Sequence, residues 1–266
     1  GVIKVSITPK TLKVCQLRLQ FHLLEEVEEL VVHTRRFRET KICVLNSDSA
    51  SAVRSLTTLK RGERIAVLNF ANATHAGGGY ASGASAQEED LCRVMPALRS
   101  QLLACGYPIE VGSALFTSTL LCRCSSTYEL TEPMEVNVIS AAMPNLKDPR
   151  AVTMYGGDCS SAVWRRTVAL RIRAVLAIAV EEEVDVLILG AFGCGAFRND
   201  AHAVASIFAK LLMSSQFAGA FSDVIFAIVE PKAMRDSGNI AIFRDVLCSG
   251  LHVVGATQNA SHQSQM

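Results

Sequence analysis

The stretch VLNFANATHAGGGYASGASAQEEDLCR, residues 67–93, leads from an apolar run through a glycine-rich loop into an acidic segment. The run RIAVLNF has the length and the branched residues of a buried strand. Gly77 to Gly79 follow it and allow the backbone to approach a ligand closely. After a gap of seven residues, Gln87, Glu88 and Glu89 open a helix that we expect to continue through DLCRVMPALRSQLLAC. The stretch therefore predicts a strand, a glycine loop and a helix with an acidic first turn.

Short apolar runs of the same kind recur along the chain and alternate with helical patterns. Apolar residues nearly throughout are typical of strands buried on both faces of a sheet. The runs are KICVLN (41–46), RIAVLNF (64–70), EVNVIS (135–140), DVLILG (185–190) and DVIFAIV (223–229). Helical patterns cover residues from about 10 to 37, 47–56, 160–180, from about 200 to 214 and from about 237 to 248. The alternation predicts an α/β fold, a doubly wound domain of three layers.

Charge and hydropathy exclude several classes of protein. The net charge is +1, which argues against sequence-independent binding to nucleic acid, since such binding normally uses a basic face. No apolar run reaches the roughly 18 to 20 residues of a membrane span. The nearest, AVLAIAVEEEVDVLILGAF, is interrupted by four acidic residues. A neutral protein can still bind a phosphorylated small molecule through backbone amides.

The nine cysteines indicate a reducing compartment. They are scattered, and several lie inside apolar runs, as Cys43 does in KICVLN, which is typical of buried thiols and not of a disulfide framework. Cys122 and Cys124 form a CxC pair, but no second pair or histidine cluster completes a zinc site. We therefore expect no metal or other cofactor and an intracellular location, cytoplasmic or nuclear.

A second glycine-rich loop, AFGCGAFRND (191–200), directly follows the predicted strand DVLILG. Ligands of open α/β sheets bind in such loops, at the carboxyl ends of strands. The glycines allow several N–H groups to point at one spot, and a helix start near Asn199 adds more, as in phosphate or diphosphate sites. The loop has neither GxGxxG followed by an acidic residue nor GK[ST], which excludes dinucleotide-dependent dehydrogenases and NTPases. The glycines alone are equally consistent with a turn that only connects the strand to the helix and binds no ligand.

Glu88 and Glu89 are candidates for acid–base chemistry. Neighbours on a helix point about 100° apart, so one is expected to hold a substrate while the other moves protons. Acidic residues are also common at helix N-termini because of the helix dipole, which lowers their pKa. A general acid needs desolvation and a repelling neighbour to raise its pKa. The residues alone leave catalysis and simple capping open.

The two loops together resemble those of the microbial, bacterial-type poly(ADP-ribose) glycohydrolases. The hallmark of that family is a triple glycine followed at this spacing by QEE, as in 77–89. GCGAF (193–197) is similar to the diphosphate loop that bacterial and animal glycohydrolases share, and VLNSDSASAV and VISAAMPNL are similar to further family segments. The likeness extends from about residue 30 to 248. It implies a three-layer α/β/α macrodomain with a mixed, largely parallel central sheet.

The resemblance implies an enzyme that hydrolyses ribose–ribose O-glycosidic bonds of poly(ADP-ribose) and releases ADP-ribose from chain ends through an oxocarbenium-like transition state. Glu89 is the implied general acid/base, and Glu88 is implied to bind hydroxyls of the leaving unit. The other implied substrate contacts are Asn72 at the terminal ribose, Gln87 beside it, Gly77, Gly78 and Gly79 as its wall, Gly193, Cys194, Gly195 and Ala196 as amide donors to the diphosphate, and Phe197 against the ribose.

Two positions depart from the family pattern. Relatives commonly have proline before the triple glycine, where this chain has Ala76 preceded by His75, which we expect to be an exposed loop residue. Many relatives place an aromatic residue against adenine after the last strand, where this chain offers only Val229 and Pro231. Two alternatives stay open: a macrodomain that binds ADP-ribose without turnover, and a hydrolase that removes single ADP-ribosyl groups from proteins.

We expect one domain over residues 1–250, including an N-terminal helical extension at about 1–38. A polar tail at 251–266 is expected to be disordered. The expected partners are poly(ADP-ribose), ADP-ribose and ADP-ribosylated proteins. We expect no direct binding to DNA or RNA, no membrane association, and a monomer.

Overall fold

The computed structural model describes residues 13–16, 35–59, 62–156, 158–230 and 238–248. Strands and helices alternate along these residues. The strands are β1 (Lys13–Gln16), β2 (Lys41–Asn46), β3 (Ile65–Ala71), β4 (Ser113–Arg123), β5 (Leu130–Ala142), β6 (Val186–Leu189) and β7 (Asp223–Ile228). The helices are α1 (Ser49–Leu59), α2 (Gln87–Val94), α3 (Leu98–Ala104), α4 (Pro149–Met154), α5 (Ala162–Glu181), α6 (Ala201–Met213) and α7 (Asn239–Cys248).

The strands form one mixed sheet in the order β1-β4-β5-β3-β6-β7-β2. From β5 to β2 every neighbouring pair is parallel, whereas β4 runs antiparallel to both β5 and β1. The prediction of a mixed, largely parallel sheet is therefore confirmed. Because the parallel strands point the same way, the loops that follow them gather at one edge of the sheet.

Two hydrophobic clusters, one on each face of the sheet, make the fold three-layered. Side chains alternate across a strand, so Leu68 of β3 packs in the cluster with α5, α6 and α7, and its neighbour Val67 packs in the cluster with α1, α2 and α3. Both faces of β3 are covered, which is why its sequence is apolar throughout. The three-layer prediction is confirmed as well.

The helix that begins at Gln87 is shorter than predicted. It ends at Val94, and α3 begins at Leu98, so the expected continuous helix is wrong. Proline disfavours helical backbone in the residue before it. Met95, which precedes Pro96, accordingly leaves the helix with φ −120° and ψ 77°.

The predicted N-terminal helix is also wrong where the structure describes it. Lys13–Gln16 form strand β1 on the edge of β4, and residues 35–40 are not helical. The open edge of a sheet presents unpaired backbone N–H and C=O groups, and an extended segment can bind to them. The apolar periodicity of the N-terminal segment gives no information about this pairing with another strand. The rest of the predicted extension and the predicted tail lie outside the described residues. No helix within the described ranges is long and apolar enough to cross a bilayer.

Candidate active site

The two loops singled out in the sequence meet between neighbouring strands. After β3 the chain passes to α2 on one face of the sheet, and after β6 it passes to α6 on the other face. The loops therefore diverge and leave a crevice, which is where open α/β sheets bind ligands.

A cavity of about 560 Å³ occupies this crevice, a size suited to a small-molecule ligand. It is lined by loops that follow β2, β3, β6 and β7 and by the start of α2. The predicted site residues among its lining are Asn72, Gly78, Gln87, Glu88, Glu89, Gly193, Gly195, Ala196 and Phe197. Both predicted loops thus contribute to a single site.

Glu88 is buried, with 3% of its surface exposed, and both of its oxygens accept backbone hydrogen bonds. Oε2 accepts from the N–H of Asn72 at 2.7 Å, and Oε1 accepts from the N–H of Gly77 at 3.0 Å. Burial raises the pKa of Glu88 to about 7, although these two hydrogen bonds act in the opposite direction. The carboxyl group holds both ends of the segment that leads into the triple glycine.

Glu89 is held at one oxygen only. It is 6% exposed, and its Oε1 accepts from the N–H of Gly79 at 2.8 Å. Oε2 is buried and has no hydrogen-bond partner among the described residues. Buried carboxylate oxygens are normally hydrogen-bonded, so an unpartnered one beside a cavity indicates a group that is completed by a ligand. Of the two glutamates, Glu89 therefore has the oxygen that is free to exchange a proton.

The triple glycine is required by the carboxylates that pack on it. Gly78 has a φ of +53°, and a Cβ atom there would stand 2.8 Å from Glu88 Oε2 and closer still to Glu89 Oε1. Gly77 and Gly79 do not line the cavity, so Gly78 is the glycine of this run that contributes to its wall. The flexible backbone and the acidic pair lie together because only glycine lets them come this close.

Gln87 joins α2 to the end of β3. Its Oε1 accepts from the N–H of Phe70 at 2.8 Å, and its Nε2 donates to Leu68 O at 2.8 Å and to Ser49 Oγ at 3.1 Å. Both ends of the carboxamide are thus engaged within the protein, although Gln87 also lines the cavity. Its main structural effect is to fix the helix that carries the two glutamates.

Asn72 shapes the start of the glycine loop. Its Oδ1 accepts from the N–H of Thr74 at 2.9 Å, from Thr74 Oγ1 at 3.1 Å and from the N–H of His75 at 3.1 Å. Its amide nitrogen Nδ2 makes no hydrogen bond within the described residues, so it can donate to a ligand in the cavity. His75 is exposed, as expected, and its Nδ1 lies 2.7 Å from Thr74 Oγ1.

The second loop presents backbone amides. Within the described part of the chain, the N–H groups of Gly193, Gly195, Ala196 and Phe197 donate to no protein acceptor. Cys194 differs from the prediction, because its N–H already donates to Ala191 O at 3.0 Å. Its side chain packs on the core, and burial raises the pKa of its thiol. The four remaining amides suit an anionic ligand such as a diphosphate.

The side chain of Asn199, for which no role was predicted, holds the second glycine-rich loop (191–200) in place. It is 4% exposed, and its Oδ1 accepts from the indole N–H of Trp164 at 2.8 Å. Its Nδ2 donates to Pro144 O at 2.9 Å and to Gly193 O at 3.0 Å. It therefore connects α5, the segment that follows β5 and the glycine loop. Phe70 also lines the cavity without having been predicted, and its ring lies 5.4 Å from that of Phe192.

No group of three or more His, Cys, Asp or Glu side chains is placed to bind a metal ion in the residues described. Of the two residues expected where relatives contact adenine, Val229 lines the cavity and Pro231 lies outside the described residues.

We predict that Asn199→Ala weakens substrate binding more than it slows turnover. Without the Asn199 amide, the Gly193 loop loses its fixed position, so KM should rise about tenfold while kcat stays within about threefold. Steady-state kinetics with poly(ADP-ribose), the substrate that the sequence resemblance implies, checks this. Asp200→Asn is the matched control, because an asparagine at that position can still accept the N–H of Ala203 at the helix N-cap. A fall in kcat at unchanged KM would contradict the prediction.

We also predict a pH-dependent stability that originates at Glu88. Its folded pKa of about 7 exceeds the ordinary value of 4.5, so it stabilises the fold least at high pH. Between pH 5 and 8.5, wild type should lose about 2 to 3 kcal/mol of unfolding free energy relative to Glu88→Gln. Urea denaturation of both proteins at several pH values measures this slope. A difference independent of pH would show that Glu88 is ionised throughout.

Comparison with known proteins gives one consistent result. Residues 6–107 match the family model described as microbial-type PARG, catalytic domain, where PARG denotes poly(ADP-ribose) glycohydrolase. The enzyme from Deinococcus radiodurans, solved in complex with ADP-ribose, is 30% identical over 81% of this chain and 86% of that chain, with a TM-score of 0.67. The enzyme from Thermomonospora curvata is 32% identical over 81% of this chain and 80% of that chain, with a TM-score of 0.70.

A second Thermomonospora curvata structure, bound to the inhibitor ADP-HPD, is 34% identical over 77% of this chain and 78% of that chain, with a TM-score of 0.67. None of the curated proteins with which the chain was compared matches it. The structural matches extend over most of both chains at 30% identity or more. The chain therefore belongs to the microbial-type poly(ADP-ribose) glycohydrolase family.

Proposed function

We propose that this protein hydrolyses the ribose–ribose O-glycosidic bonds of poly(ADP-ribose) and releases ADP-ribose from chain ends. The observation that carries the proposal is the pair of buried glutamates, which open into the same cavity as the free amides of the second glycine loop. A terminal ADP-ribose unit needs both features, because its diphosphate is anionic and its ribose carries the scissile bond. Relatives have been solved with ADP-ribose and with ADP-HPD bound.

Glu89 is the proposed general acid and base. The bond between the terminal ribose carbon C1″ and the oxygen of the leaving unit breaks, and that oxygen takes the proton of Glu89. An oxocarbenium-like ribose forms, water adds to C1″, and the Glu89 carboxylate accepts the proton that the water loses. Oε2 of Glu89 suits both proton transfers because it has no described protein partner and lies beside the cavity.

Glu88 is proposed to hold the sugar hydroxyls. A raised pKa normally marks the acid of a carboxyl pair, and it is Glu88 whose pKa rises to about 7. Its two oxygens, however, each already accept a backbone N–H, whereas Oε2 of Glu89 accepts none among the described residues. Geometry therefore favours Glu89 for proton transfer, and leaves Glu88 its remaining lone pairs for hydroxyl groups.

The test is incubation with labelled poly(ADP-ribose), followed by chromatography for free ADP-ribose. Release of ADP-ribose supports the proposal. Binding of ADP-ribose in calorimetry without any release would instead identify a macrodomain that binds without turnover. Release only from mono-ADP-ribosylated protein would identify a hydrolase of single ADP-ribosyl groups.

The remaining proposals concern the protein's surroundings. We propose that it acts on ADP-ribosylated proteins in the cytoplasm or nucleus, as a monomer that binds neither nucleic acid nor membranes. The cysteines whose side chains the structure describes form no disulfide bond, which agrees with a reducing compartment. Cell fractionation and analytical ultracentrifugation test the location and the oligomeric state.

A further inference from the structure

An aromatic ring and a guanidinium group lie together beside the acidic pair. Tyr80 directly follows Gly79, whose N–H binds Glu89, and Arg93 lies one turn after Glu89 on α2. The Arg93 guanidinium carbon is 5.8 Å from the centre of the Tyr80 ring. Arg93 also donates to Ala84 O, and Ala84 lines the cavity. Tyr80 is nevertheless 38% exposed, so Arg93 leaves part of its ring open to solvent.

A second exposed tyrosine stands beside α2. Tyr128 lies in the turn between β4 and β5, with φ of 57°, and is 39% exposed. Its hydroxyl lies 2.5 Å from Oδ1 of Asp90, a residue that lines the cavity next to Glu89. Because this hydrogen bond fixes the hydroxyl end, the ring of Tyr128 has a defined place beside the first turn of α2.

The chemistry of poly(ADP-ribose) explains why aromatic groups are useful there. The bond that breaks joins C1″ of the terminal ribose to O2′ of the adenosine in the next unit. The leaving oxygen therefore belongs to a ribose that carries an adenine base. With the terminal unit in the cavity and Glu89 at the scissile bond, that adenine lies outside the cavity on the Glu89 side. Bases stack on tyrosine rings and arginine guanidinium planes without regard to sequence.

We propose that Tyr80 and Arg93, with Tyr128 beside them, form a subsite for the adenine of the leaving unit. The subsite rests on the proposed function and deepens it, because it names the leaving group that the enzyme prefers. A polymer presents adenine at this place, whereas a single ADP-ribosyl group on a protein side chain does not. The subsite thus favours poly(ADP-ribose) over mono-ADP-ribosylated protein.

The experiment compares two substrates in Tyr80→Leu and Tyr80→Phe. One substrate is poly(ADP-ribose). The other is ADP-ribose linked at C1″ to trifluoroethanol, a small leaving alcohol without a base. Tyr80→Leu keeps apolar bulk but removes the ring, so kcat/KM for the polymer should fall about tenfold and that for the small acetal should stay within twofold. Tyr80→Phe keeps the ring and should restore the polymer rate to within about twofold.

The outcomes separate the subsite from the function on which it rests. An equal loss on both substrates in Tyr80→Leu, or no loss on either, would overturn the subsite while leaving the hydrolase intact. A wild-type protein inactive on both substrates would overturn the proposed function and the subsite with it. Leu103→Ala, at an exposed apolar residue on α3, serves as the control for a general surface change. Thermal unfolding of each variant confirms that the fold is retained.

Discussion

Glu89→Gln will lower the turnover of poly(ADP-ribose) roughly a thousandfold, within the range expected for loss of a general acid. Glutamine has the same shape, and its Oε1 can still accept the N–H of Gly79, which lies 2.8 Å from the present oxygen. The change replaces the unpartnered Oε2 by an amide nitrogen that can neither give up a proton to the leaving oxygen nor remove one from water. ADP-ribose affinity should therefore stay within about threefold, because the diphosphate amides and the cavity walls are unchanged.

Two measurements on the same protein check this expectation. Release of labelled ADP-ribose gives the rate, and titration calorimetry with ADP-ribose gives the affinity. Glu110→Gln, an equally conservative change at an exposed residue of the loop before β4, is the matched control and should behave as wild type. Retention of more than a tenth of the wild-type rate in Glu89→Gln would rule out Glu89 as the acid. Glu88, with its raised pKa, would then be the next candidate.

Gly78→Ala is expected to have the second-largest effect, a loss of activity of about a hundredfold or more. The φ of +53° makes any side chain costly there, by about 1 to 2 kcal/mol. The added methyl group would also stand 2.8 Å from Glu88 Oε2 and closer to Glu89 Oε1, so both carboxylates must move. A shift of about 1 Å in catalytic groups is enough for a rate loss of this order. Rate and thermal stability should be measured together.

Gly83→Ala separates the backbone strain from the displacement of the carboxylates. Gly83 lies in the same loop and has a φ of +83°, yet a Cβ atom there would meet no heavy atom within 4 Å. Both variants therefore carry similar strain, but only Gly78→Ala disturbs the acidic pair. We expect Gly83→Ala to keep at least about a third of the activity. Equal losses in the two variants would show that loop strain, and not contact with Glu88 and Glu89, sets the rate.

The positions of the parallel strands were predictable, and the antiparallel part of the sheet was not. Residues 41–46, predicted from KICVLN, form β2 with those bounds, and β7 ends one residue before its predicted end. The predicted burial of β2 on both faces is wrong, because β2 is an edge strand and Leu45 is 39% exposed. Strand β4 was missed because Thr117 and Thr119, which are buried, interrupt its apolar pattern. Pro96 marks the break between α2 and α3 in the sequence. The apolar pattern continues on both sides of the proline, which is why a single helix was predicted.

The site was predictable in position and not in detail. The glutamates and the two loops follow from their motifs, because each motif is local in sequence. Which carboxylate oxygen is free depends on contacts across ten or more residues, such as that between Gly77 and Glu88. Asn199 binds Trp164 and Pro144, which lie 35 and 55 positions away, and only the folded chain brings these residues together. The engaged amide of Cys194 likewise depends on the turn that the loop adopts.

The hydrogen bonds from Asn72, Gly77 and Gly79 to the two glutamates make the reactive groups and the wall of the cavity a single mechanical unit. A ligand that pushes the glycine loop also moves the carboxylates, so fit and proton delivery cannot be adjusted separately. Transfer of this chemistry to another scaffold would require residues 72–89 as one block. It would also require the end of β3, to which Gln87 is hydrogen-bonded. Grafting the two glutamates alone would give carboxylates without the backbone hydrogen bonds that orient them.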